Sequence, residues 1–595
     1  MRFILICIIG RKEKELLQGK NFPVSLYKAL LFQKIAGGIK SGTINFTNSN
    51  KYRSLEDYLI PAGEWRNNRQ FYLEKSALQS FEDFLPLSAG LAKITDEMFQ
   101  TTNRRLSANE CFHFKESNSW TISTPKEASE LAKPLRDYFP KRAVVALSEI
   151  LSTVNRTADF LAELNRLQST AARRKPPNYV FFAGIVALGC ELGIAKVTYT
   201  SKQLGETELE NTVNWYFTLE NLRSANQKLV EFLNSLEIPN IYRRASGKLH
   251  TSSDGQKYEV SVPSLNANYS FKYFGQNKGV SVYSFIDERH LLFYSTVISS
   301  SEREAAYVID GLLHNETIKS DIHSTDSHGF TEVVFAVTHL LGFAFAPRLK
   351  KLSKHRLYSF EKRKVYENQN FQILPKAYID TKLIEENWDS ILRFVATIKL
   401  KRTSASQLFK RLNSYSNQHP LYQALKEFGK IIKTLFILQY VDDPELRQSI
   451  EKQLNKIEHA QRFAKAIAFG NSQEVSQAEK EDQEITAECR RLIENSVICW
   501  NYLYLTHKLT KSGVGEKAEL LKAIKEGSII TWRHVNFYGE YDFSEEKLTD
   551  SIGFNLPEIV GWKLEEKREQ KITLKPLETE DYQKSYETFL PFGDF

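Results

Sequence analysis

The stretch Ile322–Thr331, IHSTDSHGFT, joins a short β-like run over residues 317–322 to a helical pattern over residues 330–341. Apolar side chains in that pattern recur every three or four residues, which predicts an amphipathic helix. Asp326 therefore lies where a strand ends and a helix begins, at the open edge of a sheet, where a ligand or a metal ion can reach its carboxylate. The alternative interpretation of Asp326 is a solvated aspartate in a turn.

Strand-like segments precede this stretch. In residues 257–262 polar and apolar side chains alternate with the period of a half-buried strand, and Asp254 shares the parity of the apolar set. The next segments are residues 269–274 and residues 280–298, and the second is long enough for two strands or one bent strand. The sequence therefore predicts a run of strands with a carboxylate on the first of them.

A helix separates these segments from the opening stretch. Ser301 and Glu304 have the spacing of a capping box, which predicts that the helix begins at Ser301. The resulting order is three strands, a helix and a fourth strand that ends near Asp326. Ribonuclease-H-like domains begin in this order, so we predict an α/β multidomain protein with a ribonuclease-H-like core, a mixed sheet flanked by helices.

The third candidate acid, Glu458, lies on a long predicted helix that opens with Asp443 as its N-cap and Pro444 in its first turn. Glu458 directly follows Ile457, a member of the apolar stripe of that helix. A charged side chain at the edge of a core-facing stripe needs a partner. That partner is either a metal ion or a cation, and Arg462, four residues later, is one alternative.

Asp254, Asp326 and Glu458 are thus the candidate catalytic residues and the candidate metal ligands. Carboxylates that lie close together repel one another, which raises their pKa values unless a cation neutralises them. We expect Mg²⁺ or Mn²⁺, and two ions, because such a pair activates the attacking oxygen and stabilises the leaving oxygen in phosphodiester chemistry. The sequence has no P-loop, GxSxG or Rossmann motif, so it predicts no nucleotide cofactor.

A basic segment follows the helix after Asp326. Residues 346–365, APRLKKLSKHRLYSFEKRKV, contain eight lysines and arginines against Glu361 alone. Such one-sided charge is typical of contact with a phosphate backbone, and a solvated basic face is the alternative. The candidate DNA-binding residues, in this segment and in the helical stretch after it, are Lys350, Lys351, Lys354, Arg356, Lys399 and Arg402.

Length and composition favour a multidomain protein of a reducing compartment. The chain has 595 residues, more than one ordinary core accommodates, and a net charge of +8, which permits an anionic partner. Its five cysteines include no CxxC pair, which favours the cytoplasm. The apolar run over residues 3–9 is shorter than a membrane span, so no membrane partner is expected.

The predicted organisation has six parts. In chain order they are a helical region over 1–125 that is scaffold- or dimerisation-like, a helical linker region over 126–246, a first part of the catalytic core over 247–370, a helical insertion over 371–442, a second part of the core over 443–545, and a poorly ordered tail over 546–595.

Seven motifs make the sequence similar to transposases of the Tn-three family, which move replicative bacterial transposons. They are SSDGQ (Ser252–Gln256), REAAYVIDG (Arg303–Gly311), HSTDSHGFTE (His323–Glu332), LLGFAFAPRL (Leu340–Leu349), LNKIEHA (Leu454–Ala460), WNYLYL (Trp500–Leu505) and WRHVNFYGEY (Trp532–Tyr541). The motifs occur in the family's order, and weaker similarity extends from Tyr27 through Asn240.

The resemblance implies a DDE-type catalytic centre with Asp254, Asp326 and Glu458 as metal ligands. It implies that water cleaves one strand at each transposon end and frees a 3′-hydroxyl, which then attacks target DNA. The implied partners are DNA, as transposon ends and as target, and a second copy of the chain in a homodimer, and the implied location is the bacterial cytoplasm. Three supporting residues lie in matching motifs and are expected to position DNA or the metal-bound phosphate: His323, His328 and Arg348.

The chain also departs from the family's pattern. Family members are usually far longer and carry an amino-terminal region that recognises the terminal inverted repeats, whereas this chain begins near the middle of that plan. Ile457 stands where the family tends to have glycine. The alternatives to an active transposase are therefore an inactive remnant that binds DNA or regulates a full-length transposase by dimerising with it, and a metal-dependent nuclease without strand transfer.

Overall fold

The structure is a computed structural model that describes residues 24–41, 44–49, 52–114, 120–125, 133–142, 144–167, 174–244, 247–315, 317–327, 329–414, 419–544, 547–549 and 551–564. The apolar run over residues 3–9 lies outside these residues. The chain divides into two compact units. The first unit comprises Met1–Glu110, Thr331–Gly342 and Ser353–Asp442, and the second comprises Cys111–Phe330, Phe343–Leu352 and Asp443–Phe595.

The helices of both units are numbered in chain order. They are α1 Val24–Ser41, α2 Ala62–Asn67, α3 Arg69–Lys75, α4 Phe84–Arg105, α5 Leu147–Ala158, α6 Asn178–Gly189, α7 Ile194–Tyr199, α8 Glu206–Tyr216, α9 Leu219–Ser235, α10 Phe271–Phe274, α11 Ala305–Leu313, α12 Glu332–Leu340, α13 Arg363–Glu367, α14 Thr381–Glu386, α15 Trp388–Lys399, α16 Ala405–Ser414, α17 Pro420–Asp442, α18 Pro444–Ile467, α19 Lys480–Lys511, α20 Val514–Glu526 and α21 Leu556–Gly561. Among the described helices, none is long and apolar enough to cross a membrane.

The strands are numbered in the same way. They are β1 Phe112–Phe114, β2 Trp120–Ile122, β3 Val145–Ala146, β4 Ser201–Lys202, β5 His250–Glu259, β6 Asn268–Tyr269, β7 Lys278–Asp287, β8 Leu292–Ser299, β9 Ile322–Thr325, β10 Ala344–Phe345, β11 Tyr358–Ser359, β12 Ala377–Tyr378, β13 Val535–Asn536 and β14 Tyr541–Asp542.

A six-stranded mixed sheet forms the centre of the second unit. Its strands follow the order β10-β9-β5-β7-β6, and β8 pairs with β7. β9 is parallel to β5 and to β10, whereas β7 is antiparallel to β5, β6 and β8. The segment over residues 280–298 is therefore a hairpin of two strands, one of the two predicted alternatives.

Helices cover both faces of this sheet. Val282 and Ser284 of β7 line the same small cavity as Ile457 of α18 and Arg490 of α19. Phe285, which points to the opposite face because side chains alternate along a strand, lies so close to Gly311 of α11 that a Cβ on Gly311 would collide with its ring. The unit is thus an α/β structure with helices on each side of a mixed sheet.

Two local predictions are wrong. Residues 269–274 do not form one strand, because β6 ends at Tyr269 and α10 follows, closed by Gly275 at a φ of 58°. The helix predicted to begin at Ser301 instead begins at Ala305. The carboxylate of Glu304 does not close a capping box, because it pairs with Lys257 at 2.7 Å.

The start of α18 is as predicted. The Asp443 side chain accepts a hydrogen bond from the backbone N–H of Leu446, and Pro444 occupies the first turn. The helix buries Leu446, Ile450 and Ile457 along one face. Because proline needs no hydrogen-bond acceptor in the first turn, the sequence Asp-Pro fixes where this helix begins.

The first unit is a helical assembly. Its α12 packs against α17, where Gly429 leaves room for the carbonyl oxygen of Glu332, with which an added Cβ would collide. Four residues later in α17, Lys433 pairs with the Glu332 carboxylate at 2.8 Å. The short α21 of the second unit lies in the segment predicted to be a poorly ordered tail, and it buries Ile559. Residues 565–595 of that tail lie outside the described residues.

Candidate active site

Asp254 lies on β5, and Asp326 directly follows the neighbouring parallel strand β9. Ser253 of β5 is aligned with Thr325, the last residue of β9, so the aspartate that follows each of them lies at the same level of the sheet. Asp254 is opposite Ser284 of β7 and therefore faces the side of the sheet that α18 covers. The parallel register, rather than closeness in sequence, brings these two carboxylates together.

Glu458 reaches the site from α18. The carbonyl oxygen of Gln453 accepts a hydrogen bond from Ser252 Oγ at 3.1 Å, and the carbonyl oxygen of Gln461 accepts one from Gln256 Nε2 at 2.8 Å. These two bonds hold α18 along β5 on either side of Asp254. Glu458 lies between them in the helix, so its half-exposed carboxylate borders the end of the strand pair.

Arg348 joins two of the three acids. Backbone hydrogen bonds, including Arg348 N–H to the Thr325 carbonyl at 2.9 Å, extend the chain after β10 along β9. The Arg348 guanidinium then lies 3.0 Å from Asp326 Oδ1 and 3.8 Å from Glu458 Oε1, and Lys350 Nζ lies 3.5 Å from Asp326. The cation expected beside Glu458 is therefore Arg348, and these ion pairs do not involve Arg462.

The surroundings of the two aspartates shift their pKa values in opposite directions. Burial opposes ionisation of Asp326, but hydrogen bonds from the Ser327 backbone and from Arg348 outweigh it and lower the pKa. Burial raises the pKa of Asp254 to about 7, and the negative charges of Glu304 and Asp326 add to that shift. Asp254 is thus the carboxylate in this group that most needs a cation.

His323 has a structural position in this arrangement. Its ring is fully buried in β9, and its Nδ1 and Nε2 form 2.8 Å hydrogen bonds with Thr251 Oγ1 and Ser253 Oγ of β5. Burial lowers its pKa to about 3, so the ring is neutral. His323 therefore holds β5 and β9 together beneath the two aspartates. His328, the other predicted histidine, lies outside the described residues.

A carboxylate that the sequence analysis did not assign to the site is Glu304. It lies at the start of α11, across β5 from Asp254, where it would collide with a Cβ on Gly255. Glu304 forms a largely buried ion pair with Lys257, and each of the two side chains is only 16% exposed. The glycine that directly follows Asp254 was the available signal, because only a residue without a side chain leaves this space.

A family model described as Tn3 transposase DDE domain matches residues 149–541, a span that contains Asp254, Asp326 and Glu458. The chain belongs to this family. The matched span also contains the whole six-stranded sheet, α18 and α19. The arrangement of acids described above therefore lies in the region that defines a Tn3 transposase DDE domain.

Individual Tn3-family transposases are similar over most of the chain. The transposase for transposon Tn1546 from Enterococcus faecium is 29% identical over 541 residues, which are 88% of this chain and 52% of that protein. The transposase for transposon Tn2501 from Escherichia coli is 30% identical over 522 residues, 87% of this chain and 51% of that protein. The transposase for transposon gamma-delta from Escherichia coli (strain K12) is 26% identical over 532 residues, which are 87% of this chain and 52% of that protein. The chain spans about half the length of the curated relatives it matches.

The acids of this Tn3-family chain fit a divalent ion by their chemistry but are not gathered around one. Among the described residues, no group of three or more histidine, cysteine, aspartate or glutamate side chains is arranged to hold a metal ion. Asp254, Asp326 and Glu458 offer only oxygen donors, which Mg²⁺ prefers. The Arg348 guanidinium lies between the second and the third of them, so it supplies the positive charge there.

The six basic residues predicted to bind DNA fall in both units. Lys350 and Lys351 are exposed in the second unit, and Lys354, Arg356 and Arg402 are exposed in the first. Lys399, also in the first unit, donates a 3.0 Å hydrogen bond to the Leu341 carbonyl oxygen, and burial lowers its pKa. Its ammonium is thus engaged at the end of α12, whereas the other five side chains reach solvent.

We expect Asp254→Asn to stabilise the Tn3-family chain when divalent ions are removed with a chelator. Because the folded-state pKa of Asp254 is raised to about 7, its contribution to stability is present below the ordinary carboxyl pKa and is lost as the pH rises through 7. The asparagine variant avoids that loss, so its gain is absent near pH 4 and reaches about 2 to 4 kcal/mol at pH 8. Thermal unfolding at a series of pH values measures this difference.

Asp326→Asn is the matched comparison, because the pKa of Asp326 is lowered. Its carboxylate contributes stability above the ordinary carboxyl pKa, so this variant is expected to unfold at a lower temperature than the wild type at pH 8. If both variants change the unfolding temperature at pH 8 by the same amount and in the same direction, the pKa values of the two aspartates are not shifted in opposite directions.

Proposed function

We propose that this chain is a DNA transposase, or the catalytic part of one, that cleaves the 3′ ends of a Tn3-like bacterial transposon and joins them to target DNA. The observation that carries the proposal is the placement of Asp254 on β5 and of Asp326 directly after the adjacent parallel strand β9, with Glu458 presented by α18 within a matched Tn3 transposase DDE domain. The mixed sheet with helices on both faces supports a ribonuclease-H-like core.

Each residue of the site has a proposed role. Asp254, Asp326 and Glu458 would hold one or two Mg²⁺ or Mn²⁺ ions, which supply activation of the attacking oxygen and stabilisation of the leaving oxygen when bound. Arg348, which now neutralises Asp326 and Glu458, would turn to a phosphate oxygen of the strand being cleaved. His323 keeps β5 and β9 in register, so the two aspartates remain side by side.

The proposed substrates and surroundings follow from this chemistry. DNA is bound twice, as transposon ends and as target, and a homodimer would hold two ends together in the bacterial cytoplasm. The exposed Lys350 and Lys351 extend from the same segment as Arg348 and would contact the DNA backbone. Lys354, Arg356 and Arg402, which are exposed in the first unit, would contact DNA in their own right, and no nucleotide cofactor is required.

The test is a cleavage and joining assay. Labelled duplexes that carry terminal inverted repeats from the DNA flanking the gene, intact or already nicked, are incubated with the chain, a supercoiled target plasmid and Mg²⁺ or Mn²⁺. The expected result is a nick at the 3′ end of the repeat and a product in which the labelled strand is joined to the plasmid. A nick without joining would instead indicate a nuclease.

A catalytically inactive DNA-binding relative is the second candidate. The observation that favours it is that the described acids are not grouped around one metal position and that Arg348 occupies the space between two of them. This candidate predicts salt-sensitive binding to the labelled duplexes, because phosphate contacts release counterions, and no nick with any divalent ion. The same assay therefore separates the two functions.

Arg348→Ala is expected to lower the rate of nicking about 100- to 1000-fold, the loss that follows removal of one donor to a developing charge. Arg348→Lys should recover part of that rate, because the lysine restores the charge but not the two-nitrogen fork. Rates under single-turnover conditions with saturating Mg²⁺ measure the effect. If Arg348→Ala nicks as fast as the wild type, Arg348 only fills the site in the absence of metal and DNA.

A further inference from the structure

An exposed aromatic segment connects β5 to β7. Residues 265–278, LNANYSFKYFGQNK, contain two lysines and no acid. The side chains of Tyr269, Phe271 and Tyr273 in this segment are 67%, 87% and 48% exposed. We call these three rings the aromatic surface. Exposed rings of this size, grouped within five residues, indicate a binding surface, because aromatic side chains gain free energy when they are covered.

The segment is anchored, so the rings are displayed by a fixed backbone. Phe274, the last residue of α10, is buried and fills the space beside Gly279 of β7, where a Cβ would collide with its ring. The backbone N–H of Asn277 donates to the Phe274 carbonyl at 2.9 Å and closes the turn into β7. With Phe274 fixed inward, Phe271 and Tyr273 lie outside the core.

Lysine side chains accompany the rings. Lys278 Nζ lies 4.9 Å from the centre of the Tyr269 ring, and Lys272 Nζ donates a 3.0 Å hydrogen bond to the Tyr273 hydroxyl. Such a mixture of flat rings and ammonium groups matches a nucleotide, whose base has two apolar faces and whose phosphate is an anion. An acidic or aliphatic partner would satisfy only one of these two features.

The aromatic surface lies beside the candidate active site. Lys257 of β5, three residues after Asp254, has its ammonium 5.7 Å from the centre of the Tyr273 ring. The pKa of Lys272 is raised, mainly by the hydrogen bond to Tyr273 and also by the negative charge of Asp326. The rings therefore border β5, the strand that carries Asp254, on the side where Lys257 pairs with Glu304.

We propose that the aromatic surface stacks on the bases of unpaired nucleotides next to the phosphodiester that is cleaved, while Lys272 and Lys278 contact their phosphates. This inference rests on the proposed function, since it assumes that DNA occupies the site. It adds a preference for DNA that is single-stranded at the cleavage position. Stacking is independent of base identity, because every base has a π face, so the preference is for strand state rather than sequence.

The test compares two duplexes of equal paired length, one blunt and one with a single-stranded thymidine overhang that contains 2-aminopurine. The 595-residue chain should bind the overhang duplex more tightly and quench the 2-aminopurine fluorescence. Phe271→Ala should reduce this preference about 5- to 150-fold, the range found for one stacked base. Phe271→Trp should retain the preference, and Leu265→Ala, a fully exposed apolar residue of the same segment, should leave it unchanged.

The proposal is overturned if the wild type binds both duplexes equally, or if the double variant Tyr269→Ala, Phe271→Ala keeps the full preference. It is also overturned if the variants lose self-association in sedimentation experiments and keep the preference, since a second protein copy would then cover the rings. Asp326→Asn should retain the preference. A wild type that prefers the overhang through Phe271 but never nicks DNA would contradict the proposed function and leave the stacking surface in place.

Discussion

Asp326→Asn is expected to abolish metal-dependent nicking and joining, with a loss of about ten-thousand-fold or more, while DNA binding is retained. Asparagine keeps the size of the side chain but removes the charge that would hold a divalent ion, and it removes the partner of Arg348 at 3.0 Å. In the proposed mechanism a bound ion would supply both activation of the attacking oxygen and stabilisation of the leaving oxygen, so its loss would leave no partial route. Product formation with Mg²⁺ and with Mn²⁺, and duplex binding by fluorescence anisotropy, measure the two effects.

Asp321→Asn is the matched control for this loss. Asp321 lies directly before β9, five positions from Asp326, and its carboxylate accepts a 2.6 Å hydrogen bond from the Leu249 backbone. Its replacement alters the other end of the same strand, so it should cost some stability and little activity. Identical products from wild type and Asp326→Asn would rule out the catalytic role of Asp326. Retained DNA binding with no product from either protein would favour the inactive DNA-binding candidate.

The presence of a run of strands before α11 and of one more strand after it was predictable from the sequence, because the antiparallel part of the sheet is local. β7 and β8 are joined by a turn of four residues, and their apolar runs identify them. The start of α18 was predictable for a similar reason, since Asp443 and Pro444 act within one turn. Local hydrogen bonding and steric preference decide both features, so neighbouring residues suffice to predict them.

The bounds of β9 were harder to predict. The β-like run over residues 317–322 ends where β9, Ile322–Thr325, begins. After Ile322 this strand consists of His323, Ser324 and Thr325, all buried. His323 is bound to hydroxyls of β5, and Ser324 Oγ donates to the Ala346 carbonyl at 2.7 Å. A strand whose buried side chains are polar lacks the alternation of polar and apolar residues by which strands are recognised in a sequence. Its bounds depend instead on hydrogen bonds to residues far away in the chain.

The partners of the acids could not be predicted for a related reason. Arg348 lies beside Asp326 because its backbone N–H bonds to the Thr325 carbonyl, a contact between residues 23 positions apart. Glu304 pairs with Lys257, 47 positions away, instead of closing a local capping box. The motifs identified the candidate acids, but which cation neutralises each one depends on strand register, which the sequence alone does not show.

A second expected effect is a loss of stability in Glu288→Gln. The Glu288 carboxylate is almost fully buried in the turn between β7 and β8, 3.5 Å from Arg244 Nε. Lys456 of α18 donates to the backbone carbonyl of Glu288 and is attracted by its charge. Burial raises the pKa of Glu288 to about 7 although both cations attract the anion, so the cost of burying the carboxylate offsets most of that attraction. Without the carboxylate, Arg244 and Lys456 face each other with no anion between them, and the net loss should be only about 1 to 2 kcal/mol.

Lys456→Met provides the contrast that tests this explanation. It removes one of the two cations, whose pKa burial lowers to about 8, and leaves Glu288 paired with Arg244, so its cost should be smaller, about 1 kcal/mol or less. The double variant Glu288→Gln, Lys456→Met should recover part of the loss of the first variant, because it no longer buries an unpaired ammonium. Urea unfolding of the three variants measures these differences, and a larger cost for Lys456→Met than for Glu288→Gln would contradict the shared-anion arrangement.

The same ion group links stability to the proposed activity. Lys456 lies two positions before Glu458 in α18. Its ammonium donates to the Glu288 backbone carbonyl and is attracted by the Glu288 carboxylate, and both interactions hold the helix against the hairpin of β7 and β8. Glu288→Gln keeps the carbonyl bond but removes the attraction, so it should speed amide hydrogen exchange around residues 452–460 and lower the nicking rate even at temperatures where the chain stays folded. Faster exchange that spreads evenly over α19 and the sheet would instead indicate global destabilisation. In that case the apolar face of α18, rather than the buried ions, would position Glu458.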